Sequence, residues 1–251
     1  MGLAIRIIPV LLARNQMLVK GKQFNSSRIV GNVQQAAEIN QAREVDEMVV
    51  LDVSATEKGS IPNYPLIRSL TEKCFMPIAA GGGITEMEHI RMLLANGADK
   101  VVIGTAAIEN PDFIREASKR FGAQAIVIAV DAVHDVNNWY IACRNAKQIY
   151  FQSAVSFAEE MERLGAGEIM LTSVKNEGMM GGYDIGIIRK VAKAVSIPVI
   201  ANGGCGTYEH MRRALAAGAS AVAAGAMFQW TENTPRGAAE YLASKGWETR
   251  L

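Results

Sequence analysis

The stretch PIAAGGGITEMEHIRMLLANGADKVVIGTAA, Pro77–Ala107, is answered later in the chain by PVIANGGCGTYEHMRRALAAGASAVAAGAMF, Pro198–Phe228. Set Pro77 on Pro198 and the two run together without a gap. Gly82 and Gly83 fall on Gly203 and Gly204, Glu88 and His89 on Glu209 and His210, and Arg91 on Arg212. Gly97-Ala98 falls on Gly218-Ala219, and Gly104 on Gly225. Each copy reads as an apolar strand, a glycine pair, an amphipathic helix, a Gly-Ala stop and a second apolar strand. The same displacement pairs Glu47 with Glu168, and a slightly shorter one pairs Leu12 with Asp131. A match of this length predicts an internal duplication.

The rest of the chain keeps this beat. Apolar, β-branched runs at Ile5–Leu11, Glu47–Val53, Pro77–Ala80, Lys100–Ile103, Ala125–Asp131, Glu168–Ser173, Val199–Asn202 and Ala221–Ala224 alternate with helical segments. Eight strands in that alternation predict an α/β chain folded as a single (βα)8 TIM barrel. The repeat divides residues 1–251 into two duplicated half-barrels of about 1–121 and 122–251. Between strands five and six, HDVNNWYIACRNAKQIYFQ, His134–Gln152, predicts an inserted hairpin ahead of a helix at Ala154–Leu164.

Composition excludes several classes of function. With 49% hydrophobic and 20% charged residues the chain has ample core material, and a net charge of +1 offers no surface for nucleic acid. Cys74, Cys143 and Cys205 have no paired spacing, and there are only three histidines, so neither a disulfide framework nor a metal site is expected. No cofactor is expected either. Without an apolar run near 18 residues or a charged-then-apolar leader, the sequence predicts a cytoplasmic protein with no membrane contact.

In such barrels chemistry sits on the loops that follow the strand C-termini, and phosphates favour the glycine-rich ones. AAGGGIT, Ala79–Thr85, and ANGGCGT, Ala201–Thr207, are two such loops, joined by Gly104-Thr105 and Gly225-Ala226 after the next strands. Glycine lets backbone N–H groups approach an anion closely. The duplicated clusters predict two phosphate sites, one on Gly82, Gly83, Gly104 and Thr105, the other on Gly203, Gly204, Gly225 and Ala226.

The opposite end carries charge. Side chains alternate along a strand, so Arg6 shares a side with Ile8, Val10 and Leu12, Glu47 with Val49 and Leu51, Lys100 with Gly104, and Glu168 with Met170 and Thr172. If Leu12, Gly104 and Thr172 face the mouth, the four charges lie inside the floor. Arg6 is then roughly 20 Å below Leu12 at about 3.3 Å per residue. Two cations and two anions are costly there unless they close on one another as a ring. Other residues have plainer expectations. Asp52 faces the mouth or caps a loop, and His89 and His210 lie on helix surfaces. Cys205 is a small loop residue, and Trp230 and Trp247 pack beneath the last helix.

At these residues the chain resembles the cyclase subunit of imidazole glycerol phosphate synthase, the HisF family. The resemblance runs from IRIIP to the C-terminal RL and is carried by LVKG, DEMVVLD, AAGGGI, GADKVVIGTAAI, AVDA, GAGEIMLTS, GGYD and IPVIANGG. It implies a barrel that docks a glutaminase subunit on its N-terminal face and passes ammonia to a bisphosphate at the other. It also implies that Arg6, Glu47, Lys100 and Glu168 form the ammonia gate, that Asp99 beside them is a docking residue, and that Lys20 belongs to a substrate loop.

The departures cluster at the mouth. The family's acid–base pair is one Asp at the end of strand one and another at the end of strand five. Asp131 supplies the second, but Leu12 stands at the first, and leucine transfers no proton. Gly104 stands where the family has Asn, and Glu177 where it has Asp. The combination resembles a paralogue group that works with a glutaminase-like partner and a separate ATP-dependent amidotransferase on bacterial surface sugars. Three readings follow: an ammonia-transferring subunit with weakened cyclase activity, an authentic cyclase using Asp131 with Glu177 or a water, or a non-catalytic scaffold. Asp131 itself reads equally as a catalytic group or as a structural carboxylate.

Overall fold

The computed structural model describes residues 4–136 and 138–250. Asn137 in the expected hairpin, and Leu251 where the family resemblance ends, lie outside the described residues. Twelve strands form one sheet: β1 Arg6–Arg14, β2 Met17–Lys22, β3 Asn25–Asn32, β4 Met48–Asp52, β5 Ile78–Gly81, β6 Lys100–Ile103, β7 Ile126–Asp135, β8 Asn138–Cys143, β9 Gln148–Ser153, β10 Glu168–Ser173, β11 Val199–Asn202 and β12 Ala221–Ala224. Eight of them, β1, β4, β5, β6, β7, β10, β11 and β12, pair in parallel in that order. The barrel closes where Arg6–Pro9 lies beside Ala221–Ala224. The fold is therefore a single (βα)8 barrel, with the strands within a residue or two of their expected bounds except that β1 and β7 run on past Leu11 and Asp131.

Those two extensions carry hairpins. After β7, β8 and β9 fold back antiparallel, as the sequence predicts. After β1, β2 and β3 do the same, and this hairpin corrects the expectation of a loop around Lys20, which stands within β2. Polar residues and Gly21 break the apolar alternation there, so the strand signal is weak in the sequence.

Period-two alternation sorts the barrel strands into two sets of side chains. Outward residues such as Ile7, Leu11, Val50, Val101, Ile128 and Leu171 pack under the helices in the larger core. Inward residues Ile8, Val10, Val49, Ala79, Val102, Val127, Met170, Ile200, Ala221 and Ala223 form a second apolar cluster that fills the bore, with Leu12, Leu51 and Ala129 packed against it. Among the described residues no helix is long and apolar enough to cross a membrane.

Candidate functional site

The floor of the bore is a closed charge ring. Arg6 Nη1 donates to Glu47 Oε2 at 2.7 Å and to Glu168 at 3.1 Å, while Lys100 Nζ donates to both carboxylates at 2.9 Å. Cations and anions alternate, and each carboxylate serves both cations. The four lie one step below Ile8, Val49, Val102 and Met170 on the inward-facing side. Burial alone would lower the pKa of Arg6, but the charges of Glu168 and Glu47 more than offset it and hold the guanidinium above its ordinary value. Asp99 is exposed at the same end, where its carboxylate accepts the backbone N–H of Ile78 at 2.9 Å.

At the opposite end a cavity of about 490 Å³ opens among the loops that follow the strands. Leu12, Leu51, Val102, Ala129 and Met170 make its bottom, so the apolar filling of the bore separates cavity from ring. Both glycine clusters line it. Gly82, Gly83, Gly203 and Gly204 all have positive φ, between 74° and 108°, where other L-residues are strained. Space is short too, since a Cβ on Gly82 would stand 2.3 Å from Asp52 O and one on Gly204 2.3 Å from Gly182 O. Gly104 differs. Its φ is −112°, and a Cβ would meet only Ala129 Cβ at 3.6 Å. The backbone there accepts a larger residue, so the missing side chain leaves room in the mouth.

Asp131, Lys20 and Glu177, whose titration burial shifts, converge on this cavity. Asp131 closes the inward side of β7 beside Thr172, which accepts from Asn202 Nδ2 at 3.1 Å. Burial pushes the Asp131 carboxyl up to about 7, against the hydrogen bond of Thr172 and helped by the charge of Glu177. Lys20 is 3% exposed, and its burial lowers the ammonium to about 8 despite the pull of Glu177. Glu177 is raised by burial, with Lys20 and the amide of Phe24 acting the other way. A carboxyl near 7 and an ammonium near 8 lining one cavity suit proton transfer. Leu12 contributes nothing of that kind from the facing strand.

The secondary expectations divide. Asp52 caps its loop, accepting from Ser54 N at 2.9 Å and Ser54 Oγ at 2.8 Å. His89 is buried rather than a surface group, because its Nδ1 turns inward to accept Thr85 N–H at 3.2 Å. His210 makes the same bond to Gly206 N at the same distance and is half-buried. Cys205 is buried against Met227. Trp247 packs on the core as expected. Trp230 does not: it is exposed, with the Arg28 guanidinium 4.8 Å above its ring.

Comparison with known proteins follows the same lines. Residues 6–234 match the family described as histidine biosynthesis protein. Over 249 residues, 99% of this chain and 99% of the relative, the sequence is 39% identical to imidazole glycerol phosphate synthase subunit HisF of Thermococcus onnurineus (strain NA1).

Proposed function

Because this chain belongs to the histidine biosynthesis protein family and is HisF-like along its length, we propose that it is the synthase subunit of a glutamine-dependent amidotransferase complex. In this reading a HisH-like glutaminase docks on the N-terminal face around Asp99. Ammonia enters through the ring of Arg6, Glu47, Lys100 and Glu168 and reaches an acceptor in the cavity at the far end. The observation that carries the reading is the closed alternating ring at the base of an apolar bore.

The chemistry is consistent with that path. Neutral ammonia crosses an apolar layer at far lower cost than ammonium. Opening one ring contact exposes the next cation–carboxylate pair as a hydrogen-bonding step, so a small polar molecule is handed upward without bulk water following. The bore side chains must shift to let it pass, since such barrels are packed cores and not open pores. At the mouth, the two glycine loop pairs hold the phosphates of a bisphosphate, with Thr172 beside Gly203 and Lys20 beside Gly225.

Cyclase activity is weak in this reading. Removing a positioned acid–base group costs roughly 10²–10⁴-fold, and Leu12 removes one of two. The ammonia then passes to an acceptor held with a separate ATP-dependent amidotransferase, as in the surface-sugar paralogues that the sequence resembles. A second reading, an authentic cyclase of histidine biosynthesis, is favoured by the buried Glu177 beside Lys20 and Asp131, which offers a substitute acid. A pure scaffold has no use for four charges inside its floor.

The test supplies the isolated chain with the bisphosphate substrate and ammonium salt. Turnover several orders of magnitude below that of an ordinary cyclase is expected. Turnover at an ordinary rate establishes the second reading instead.

A further inference from the structure

Each hairpin crosses the rim to grip the opposite half of the barrel. The β2–β3 turn reaches the loop after β10, where Gln23 N donates to Glu177 O at 2.9 Å and Gln23 Nε2 to Lys175 O at 3.0 Å. The β8–β9 turn reaches the loop after β4, where Asn145 Nδ2 donates to Val53 O at 2.9 Å and Lys147 pairs with Glu57. It also reaches the segment after β6, with Arg144 N on Thr105 Oγ1 at 3.3 Å and Arg144 Nη2 on Glu109 Oε1 at 2.6 Å.

Strand register matches the two hairpins at their bases, and counting along each first arm carries the match onward. Ala13 faces Leu18 in the first and Ala132 faces Ile141 in the second, while Leu12 and Asp131 are already paired by the repeat. Two residues on, Lys20 corresponds to Cys143, and Arg144 to Gly21. In the first hairpin Lys20 delivers its ammonium against Gly225, in the second-half glycine cluster. In the second hairpin the matching residue is Cys143, a buried thiol that burial raises further. The glycine cluster of Gly82, Gly83, Gly104 and Thr105 would therefore lack a cation, except that Arg144 follows at once and lines the same cavity.

Arg144, Asn145 and Ala146 all have positive φ, between 52° and 59°. Left-handed backbone at three successive non-glycine residues costs of order 1 kcal/mol or more each and persists only where the surroundings fix it. The contacts to Val53, Glu57, Thr105 and Glu109 supply that fixation and hold the guanidinium over the rim. Glu109 occupies one of its five donors and leaves the others free.

We infer that Arg144 is the cationic ligand of the first-half anion site, doing for Gly82, Gly83, Gly104 and Thr105 what Lys20 does for the second-half site. This rests on reading the mouth as a two-phosphate site. A planar guanidinium grips a phosphate through two N–H groups, where an ammonium acts as a point charge. The two sites therefore hold chemically different grips, and the acceptor's more exposed phosphate is the one that Arg144 takes.

The test follows amide NMR shifts of the full chain during titration with inorganic phosphate, reading Gly82, Gly83 and Gly104 separately from Gly203, Gly204 and Gly225. Arg144→Gln is expected to weaken the first set at least tenfold and to leave the second within about twofold. Arg144→Lys falls between. Glu109→Gln frees the guanidinium and tightens the first set, a change that disturbed folding of the hairpin does not produce. Unchanged affinity at the first set in Arg144→Gln, or equal weakening of both, overturns the inference. Wild-type shifts at the second set alone also overturn it. Silence at both sets overturns the two-phosphate mouth itself, and the inference with it.

Discussion

The Nζ of Lys20 stands 2.1 Å from the point where a side chain on Gly225 would begin. The ammonium thus fills the place a larger residue would take, and the glycine is required for room, since its φ of −111° is open to any residue. Gly225→Ala therefore evicts the end of a flexible side chain and asks the Val10 carbonyl, 3.1 Å from the new Cβ, to give by only a few tenths of an ångström. We expect the melting temperature to stay within about 4 °C of wild type, a change of about 1 kcal/mol or less. Phosphate affinity at Gly203 and Gly204 should fall at least tenfold. Thermal denaturation and titration, run on the same sample, separate the two effects.

Breaking the ring tests the conduit. Lys100→Met leaves Glu47 and Glu168 with Arg6 alone. Full removal of one partner from a buried pair costs about 3–5 kcal/mol. The ring side chains are between 3% and 23% exposed, so a loss nearer 2 kcal/mol is expected, measured by urea unfolding. In the complex with a glutaminase, glutamine-driven transfer should drop while transfer from added ammonium salt holds. Equal glutamine-driven rates in variant and wild type would remove the ring from the path.

Asp131 and Lys20 pull stability in opposite directions with pH. Asp131 is raised from 3.8 to about 7, so the folded chain binds the extra proton between those values. Stability should fall as pH climbs from about 4 to about 7. Lys20 is lowered from 10.5 to about 8, so its charged form is a burden below about 8 that lifts as pH rises towards 10.5. Asp131→Asn should shrink the first limb, leaving the part due to Glu177, which burial also raises, and keep the second. Chemical denaturation across the range reads both limbs.

Leu12→Asp puts a carboxylate at a partly exposed position of β1, facing the cavity. With ammonium salt and the bisphosphate, turnover should rise about tenfold or more over wild type, within the range a positioned acid–base group supplies. If wild type already turns over at the rate of the variant, the residue at position 12 does not limit the chemistry.

The barrel was legible because its information is periodic. Paired glycines a fixed distance apart mark two loops, and period-two alternation puts Arg6, Glu47, Lys100 and Glu168 on one side of their strands. That depth match needs only counting along each strand. What the sequence hides is set across the fold. Lys20, which the family resemblance assigns to a loop, sits in a strand whose neighbours Gly21, Lys22, Ser26 and Ser27 carry no strand pattern, and its pairing with β3 and its fit against Gly225 come only from the fold. His89 falls on a polar stretch of its helix, yet the free amide of Thr85 draws it inward. Trp230 follows an apolar run and is nonetheless left outside, under Arg28.

The crossed turns at the rim have a further effect. Gln23 is moored on residues of the later half and Asn145 on residues of the earlier one, so each arm is paired to its own strand at the base and held by the other half at its tip. Slackening the segment around Val53 releases the arm that began after Asp131, and slackening that around Glu177 releases the arm that began after Leu12. A disturbance on one flank is thus passed to the arm that rises from the other.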